Sequence, residues 1–166
     1  MPSREPRVIG ARVIGAGLAV LAVMVMIFLF SAQDAEASHQ VSAGLLARVL
    51  GWLGRALDYP EGSAELDALE TALRKLGHFS EYALLGMALL VFLRVLGLRR
   101  PGWTAWGVSV LYACTDELQQ LFSQGRSASP VDVGIDACGA AAGLLLLSAI
   151  LRLISKKRRA REDAAC

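Results

Sequence analysis

Val13–Phe30 is a run of 18 residues without a charged side chain, and it constrains the fold more than any other feature of the chain. A transmembrane helix needs roughly 20 mostly apolar residues, so this run is long enough to cross a bilayer. The composition agrees, because 55% of the 166 residues are hydrophobic and the mean hydropathy of +0.48 is above that of an ordinary soluble domain. The sequence therefore predicts a membrane protein with a single domain.

A cleaved signal peptide is the alternative interpretation of this first run. Ala35-Glu36-Ala37 follows it and resembles a small-residue cleavage site. The apolar core is longer than that of a usual signal peptide, and further hydrophobic segments follow. We therefore favour a retained transmembrane helix.

The predicted fold is an all-α membrane protein with four transmembrane helices, at about residues 13–31, 78–97, 103–122 and 131–154. Apolar residues also recur at helical spacing in two places in the connection after the first span. Both places are predicted as amphipathic helices at the membrane interface. The first contains Leu46, Val49, Leu50, Leu53 and Leu57, and the second contains Leu66, Leu69, Leu73 and Leu76.

The distribution of basic residues predicts the orientation in the membrane. With the N-terminus in the cytoplasm, twelve of the seventeen Lys and Arg residues fall on the inner side. Residues 1–12 then form a basic cytoplasmic N-terminus, 13–155 the membrane domain, and 156–166 a basic cytoplasmic tail. We expect a multi-pass protein of the cytoplasmic (inner) membrane with both termini inside.

Charged and polar residues gather at the predicted outer ends of spans two, three and four. Ionisable groups at membrane depth are costly and point to a functional site. Residues three, four or seven apart share a helix face, so Lys75, His78 and Tyr82 line one stripe and Asp116 and Gln120 another. The sequence predicts an outward-facing polar pocket where these stripes meet. Its candidate members are Lys75, His78, Glu81, Tyr82, Asp116, Glu117, Gln120, Arg126, Asp132 and Asp136.

The charge-free parts of the later spans are short. Ala83–Leu93, Gly102–Thr115 and Ala137–Leu151 cover only about 16, 21 and 22 Å as helices, against roughly 30 Å of hydrocarbon. The adjoining polar turns must therefore face each other or a water-filled vestibule instead of lipid. Gly139 and Gly143 form a Gly-x-x-x-Gly motif, which lets another helix approach closely just below the aspartates.

Lys75 and Arg126 are the two permanent cations of the predicted pocket, against five carboxylates. A protonated carboxylate or a metal ion would balance the excess of acids. His78 and a carboxylate one turn away could begin a metal site, which Asp116 or Asp136 would complete, but such spacings arise often by chance. We therefore expect no metal and no other cofactor. The three cysteines show no zinc-binding spacing.

Several motifs resemble the VanZ-like family of bacterial membrane proteins. The first is Arg74-Lys75-Leu-Gly-His78-Phe-Ser-Glu81-Tyr82-Ala-Leu-Leu-Gly86. The second comprises Asp116-Glu117-Leu-Gln-Gln120, Gly125-Arg126-Ser, Val131-Asp132-Val and Asp136-Ala-Cys-Gly139. Phe30-Ser-Ala-Gln33, followed by Ser38 and Ser42, resembles the family's exit from span one. The resemblance covers roughly residues 13–150.

The resemblance implies a bacterial, multispanning protein associated with the cell envelope. The name-giving member is associated with resistance to the glycopeptide teicoplanin, so a link to antibiotic resistance is an expectation that the resemblance carries. The chain departs from the family at Gln119, where many members have His or another ring residue, and a mechanism with two histidines is not expected. The expected partners are membrane lipids and a lipid-linked envelope precursor or glycopeptide. Nucleic acid is not expected, because the basic tail is too small.

Four functions stay open for the predicted pocket. A structural role needs only ion pairs that hold helices in register, such as Asp132 with Arg126 or Glu81 with Lys75. An outer-leaflet enzyme could use His78 as a general acid or base on a lipid-linked phosphate or pyrophosphate. A binding protein would recognise an envelope ligand without catalysing a reaction. A proton-coupled transporter is disfavoured, because the ionisable groups gather at one face of the membrane. We favour a ligand pocket and leave catalysis undecided.

Overall fold

The computed structural model describes residues 5–32, 40, 44, 45, 48, 64–122 and 128–163. Four helices can be bounded within these ranges, and the ranges contain no strand. Positions 40, 44, 45 and 48 are also helical. The predicted all-α fold is thus confirmed for the described part of the chain. The helices are α1 (Glu5–Ser31), α2 (Ala64–Val95), α3 (Pro101–Gln120) and α4 (Pro130–Asp163).

Three of the four helices contain segments that are long and apolar enough to cross a membrane. These segments are Gly10–Ser31, Asp67–Val95 and Pro130–Asp163. α3 is not among them, since its last turns contain Asp116, Glu117 and two glutamines in only 20 residues. The predicted span at 103–122 is therefore not confirmed as a membrane span.

α2 joins a predicted interfacial helix and a predicted span into one continuous helix of 32 residues. The helix passes through Gly77 without a break, so the start of the predicted span at residue 78 does not coincide with a helix boundary. Residues 64–95 contain no proline, and one interior glycine costs a helix only about 1 kcal/mol. The interfacial helices are not confirmed, and the apolar positions of the first one (46, 49, 50, 53 and 57) lie outside the described residues.

A tight turn reverses the chain between α2 and α3. The N–H of Gly97 donates to the carbonyl of Arg94 (3.0 Å), and the N–H of Leu98 donates to the carbonyl of Leu93 (3.1 Å). This pair of hydrogen bonds is the Schellman arrangement, which needs a left-handed residue, and Gly97 supplies it with a φ of 74°. Pro101 then begins α3 at a position where its missing N–H is not needed.

α2 is the central helix, because it contacts each of the other three and packs most extensively on α4. A Cβ atom at Gly139 would collide with the backbone of Phe79, and one at Gly143 with the backbone of Ala83. Residue numbers increase together along this contact, so α2 and α4 run parallel. The prediction that Gly139 and Gly143 admit a neighbouring helix is confirmed, and α2 is that neighbour.

The bundle buries polar groups and exposes apolar ones. Asp136 and Asp116 are only 1% and 3% exposed, whereas Phe122 and Leu145 are 89% and 72% exposed. In water this distribution would be costly, because buried charges lose their hydration and large apolar side chains are left in contact with water. In lipid the same distribution is favourable, so the surface supports a membrane environment.

Candidate functional site

Three helices bring His78, Asp116 and Asp136 together. Each residue offers a ligand-type atom, and these atoms all lie within 4.8 Å of one another. His78 lies in the middle of α2, Asp116 near the end of α3 and Asp136 in the second turn of α4. α2 begins 14 residues before His78, about 21 Å along the helix axis, so this helix extends well beyond the site instead of starting there.

Glu81 adds a third acidic side chain, and Glu81, Asp116 and Asp136 are called the carboxylate cluster below. An oxygen of Glu81 lies 3.9 Å from Nδ1 of His78. Asp116 acts electrostatically on both Glu81 and Asp136. Like charges that are removed from water repel each other strongly. A bound cation, a proton or a ligand that donates hydrogen bonds would therefore stabilise the cluster.

Lys75 does not enter the carboxylate cluster. Its Nζ lies 2.7 Å from an oxygen of Asp132 and donates a hydrogen bond to it. Both side chains are partly exposed, at 39% and 34%. This pairing differs from the one that the sequence suggested, Lys75 with Glu81. Arg126, the other predicted cation, lies outside the described residues.

Glu117 and Gln120 hold the chain that enters α4. One carboxylate oxygen of Glu117 accepts a hydrogen bond from the backbone N–H of Ser129 at 2.7 Å. The other accepts one from Nε2 of Gln120 at 3.2 Å. A negative charge at the start of a helix is also favoured by the helix dipole. The geometry therefore gives Glu117 a structural role, although it is only 5% exposed and lies beside Asp116.

Tyr82 is fully buried on α2 and its ring approaches α3. Its ring centroid lies 6.3 Å from that of Tyr112, and both Asp116 and Asp136 act on it electrostatically. Among the described residues no hydrogen-bond partner reaches its hydroxyl group, which is fully buried. Tyr82 therefore brings a hydrogen-bond donor close to the two aspartates.

An open cavity of about 390 Å³ lies beside Asp116, between α1 and α3. Most of its wall surface is apolar, and polar groups come from Tyr112, Thr115, Asp116 and Gln119. Of the nine predicted pocket residues that the structure describes, Asp116 alone lines it. The lining residues are Phe28, Tyr112, Thr115, Asp116, Leu118, Gln119 and Phe122.

Tyr112 is a residue of this region that the sequence analysis did not include. Its hydroxyl donates a hydrogen bond to the backbone carbonyl of Met24 at 2.6 Å, which ties α3 to α1. It precedes Asp116 by four residues and so shares its helix face. That spacing could have identified Tyr112, whereas nothing in the sequence indicated the contribution of Phe28.

Family membership follows from a comparison with known proteins. The sequence profile of the VanZ/LLP1 family matches residues 17–152. The chain belongs to the VanZ/LLP1 family. The resemblance stated from its motifs is thus confirmed, and the matched region includes His78, Asp116 and Asp136. No curated protein and no solved structure matches the chain.

Membership in VanZ/LLP1 and the three apolar helices together identify a membrane protein. The candidate site of this VanZ/LLP1 protein is a group of one histidine and three carboxylates, in which Asp116 and Asp136 are buried and His78 and Glu81 are partly exposed. It lies beside a largely apolar cavity that opens between two helices.

Proposed function

We propose that this VanZ/LLP1 protein binds a lipid-linked ligand of the cell envelope. The polar head of the ligand would lie at the carboxylate cluster, and its apolar part would lie in the cavity beside Asp116. The observation that carries the proposal is the composition of this cavity, which joins an apolar wall to a buried polar group.

The cavity has the character of a ligand site. Its volume of about 390 Å³ lies within the range of roughly 300–1,000 Å³ that is usual for small-molecule pockets. Such pockets are mostly apolar, with a few polar groups that orient the ligand. Phe28, Leu118 and Phe122 supply the apolar part here, and Thr115 and Asp116 supply polar groups.

The topology that belongs to this proposal has α3 as a fourth span and both termini in the cytoplasm. Exposed apolar side chains on α3, among them Trp103 (75%) and Leu111 (69%), support its contact with lipid. The carboxylate cluster would then face outward. Alkaline phosphatase fused within residues 123–127 should be active, and the same fusion at residue 98 should be inactive. Equal activity at both positions would exclude α3 as a span.

Native mass spectrometry of the purified protein in nanodiscs tests the binding proposal. The wild-type protein should carry a lipid-linked adduct that Asp116→Asn loses and that Asp163→Asn, at the other end of the bundle, retains. Leu118→Ala and Leu111→Ala form a second matched pair. Both leucines are exposed on α3, but only Leu118 lines the cavity, so only Leu118→Ala should weaken retention. Equal retention in all four variants would contradict the proposal.

An outer-leaflet enzyme acting on a lipid-linked phosphate or pyrophosphate is the second candidate function. It is favoured by the proximity of His78 to Asp116 and Asp136, which could orient the imidazole as a general acid or base. His78→Gln should then abolish turnover of the captured ligand and leave its binding intact. Loss of binding and turnover together would restrict His78 to ligand recognition.

A contribution to teicoplanin-type resistance belongs to the same proposal, because the family resemblance supports it. Expression of the wild-type chain in a susceptible host should raise the inhibitory concentration of teicoplanin, and expression of Asp136→Asn should not. An identical effect of both proteins would separate resistance from this site.

A further inference from the structure

We infer that His78, Asp116 and Asp136 form a binding site for one divalent transition-metal ion of the Zn²⁺ or Mn²⁺ class. This inference goes beyond the proposed function, because metal binding requires no envelope ligand. It also replaces the expectation of no metal. That expectation rested on how often the spacing of His78 and Glu81 arises by chance, with Asp116 or Asp136 as a possible completion, whereas the structure brings His78, Asp116 and Asp136 together from three helices.

The spacing of the donors fits a metal ion. Nitrogen and oxygen ligands lie about 2.0–2.2 Å from Zn²⁺, so two ligands of one tetrahedral ion are about 3.3–3.6 Å apart. The donor atoms of His78, Asp116 and Asp136 all lie within 4.8 Å of one another. Side-chain rotations that move each of these atoms by about 1 Å or less would close the site.

Asp136 gives an independent indication that this site favours a cation. It is 1% exposed, and its Oδ1 has no hydrogen-bond partner among the residues that the structure describes. Asp116, Glu117, Asp132 and Glu81 all act on it as neighbouring carboxylates. A buried carboxyl group in such surroundings is stabilised by a proton, a positive charge or a coordinating ion.

Lys75, the lysine nearest to His78 in the sequence, does not supply a positive charge to Asp136. Lys75 is one turn before His78 on α2, but its ammonium group binds Asp132 at 2.7 Å. The remaining donors to the site are an imidazole and two carboxylates. Imidazole favours Zn²⁺ and other transition metals, and carboxylates are also good ligands for Mn²⁺. The mixed set therefore favours these ions over Mg²⁺ or Ca²⁺.

Two neighbouring features fit the surroundings of a metal centre. The carboxylate of Glu81 lies 3.9 Å from Nδ1 of His78, beyond hydrogen-bond distance, so a shorter approach would let it orient the ring as an outer-shell partner. Asp116 also lines the open cavity of about 390 Å³. Three protein ligands with an open side leave a position for water or an anionic group. A phosphate head would then meet a cation instead of bare carboxylates.

Metal titration of the full chain in nanodiscs, after treatment with EDTA, tests the inference. The probes are Mn²⁺, followed by electron paramagnetic resonance of the free ion, and Zn²⁺, followed by calorimetry. The cysteines at 114, 138 and 166 are replaced by serine in all samples so that thiolates do not bind Zn²⁺. We expect one ion per chain, and affinities that fall at least about tenfold in Asp136→Asn and His78→Gln.

Asp163→Asn is the control, because it removes a carboxylate from the exposed far end of the same helix, away from the site. It should retain the wild-type affinity within about twofold. Size-exclusion profiles identify variants that do not fold, and Asp116→Asn then replaces a failed variant. Absence of binding by the wild-type chain, or equal weakening in Asp163→Asn and Asp136→Asn, would overturn the inference. No envelope ligand is present, so a negative result leaves the proposed function standing.

Discussion

α2 and α4 carry charged side chains at two levels, which lie about 24 Å apart along each helix. At one level His78 and Asp136 are drawn into the buried site. At the other, Arg94 and Arg152 line an open groove of about 630 Å³ together with Lys156. The same pair of parallel helices thus presents a closed acidic end and an open basic end.

The contrast shows that close contact between helices, and not the presence of charge, determines whether a charged side chain loses its hydration. Glycines bring the two backbones together at the acidic end, and the carboxylates there lose their hydration. Nothing comparable encloses the basic end, where residues 152–163 are all exposed. Effects of substitution should therefore be large at the acidic end and small at the basic end.

The largest effect is expected where the two helices touch. Gly143→Leu would drive a side chain into the backbone of Ala83, and it should destabilise the fold by about 3 kcal/mol or more. Gly134→Ala is the control on the same helix, because a Cβ atom there meets nothing within 4 Å. Unfolding in detergent measures both variants. A neutral Gly143→Leu would mean that α2 and α4 do not make this contact.

The next effect concerns the chain that enters α4. Glu117→Ala removes the acceptor for the backbone N–H of Ser129 and should lower the free energy of unfolding by about 2 kcal/mol. Asp163→Ala, at the basic end, should change it by less than about 0.5 kcal/mol. Equal losses of unfolding free energy in the two variants would contradict the difference proposed between the acidic and basic ends.

The partly exposed ion pair at the acidic end should contribute less. A double-mutant cycle with Lys75→Ala and Asp132→Ala should give a coupling free energy of about 0.5–1 kcal/mol, because solvent screens a pair that is 39% and 34% exposed. A value above about 2 kcal/mol would show that membrane surroundings exclude solvent from this pair.

The smallest effect is expected for the exposed pair of the basic end. Nε of Arg158 lies 3.0 Å from an oxygen of Glu162, one turn along α4. A double-mutant cycle with Arg158→Ala and Glu162→Ala should give a coupling free energy of about 0.3 kcal/mol, which should approach zero in high salt. A salt-independent coupling as large as that of Lys75 with Asp132 would contradict the comparison.

Much of the acidic end could be predicted from periodicity. Helical spacing placed His78, Asp116 and Asp136 on faces that meet, and Gly139 with Gly143 predicted the close helix contact. Spacing defines a face, however, and not the partner chosen from among several carboxylates. Lys75 binds Asp132 on α4 and not Glu81, because Glu81 lies six residues further along the same helix and therefore on a different face.

Two further features depended on information that the sequence pattern does not carry. The continuity of α2 through Gly77 could not be predicted, because a glycine after an amphipathic segment is equally compatible with a boundary. The role of Glu117 depends on where the chain returns before α4, which places the N–H of Ser129 against its carboxylate. Local propensity does not specify such a long-range approach.

The stability of Asp136→Asn in the presence of EDTA tests the central claim that the carboxylate cluster serves a ligand and not the fold. The substitution keeps the shape of the side chain and removes a buried like charge, so the account predicts a rise in the free energy of unfolding of about 1 kcal/mol or more. The same variant should bind neither the metal ion nor the lipid-linked ligand. A fall in stability of similar size would show that Asp136 holds the helices together, and would contradict the account.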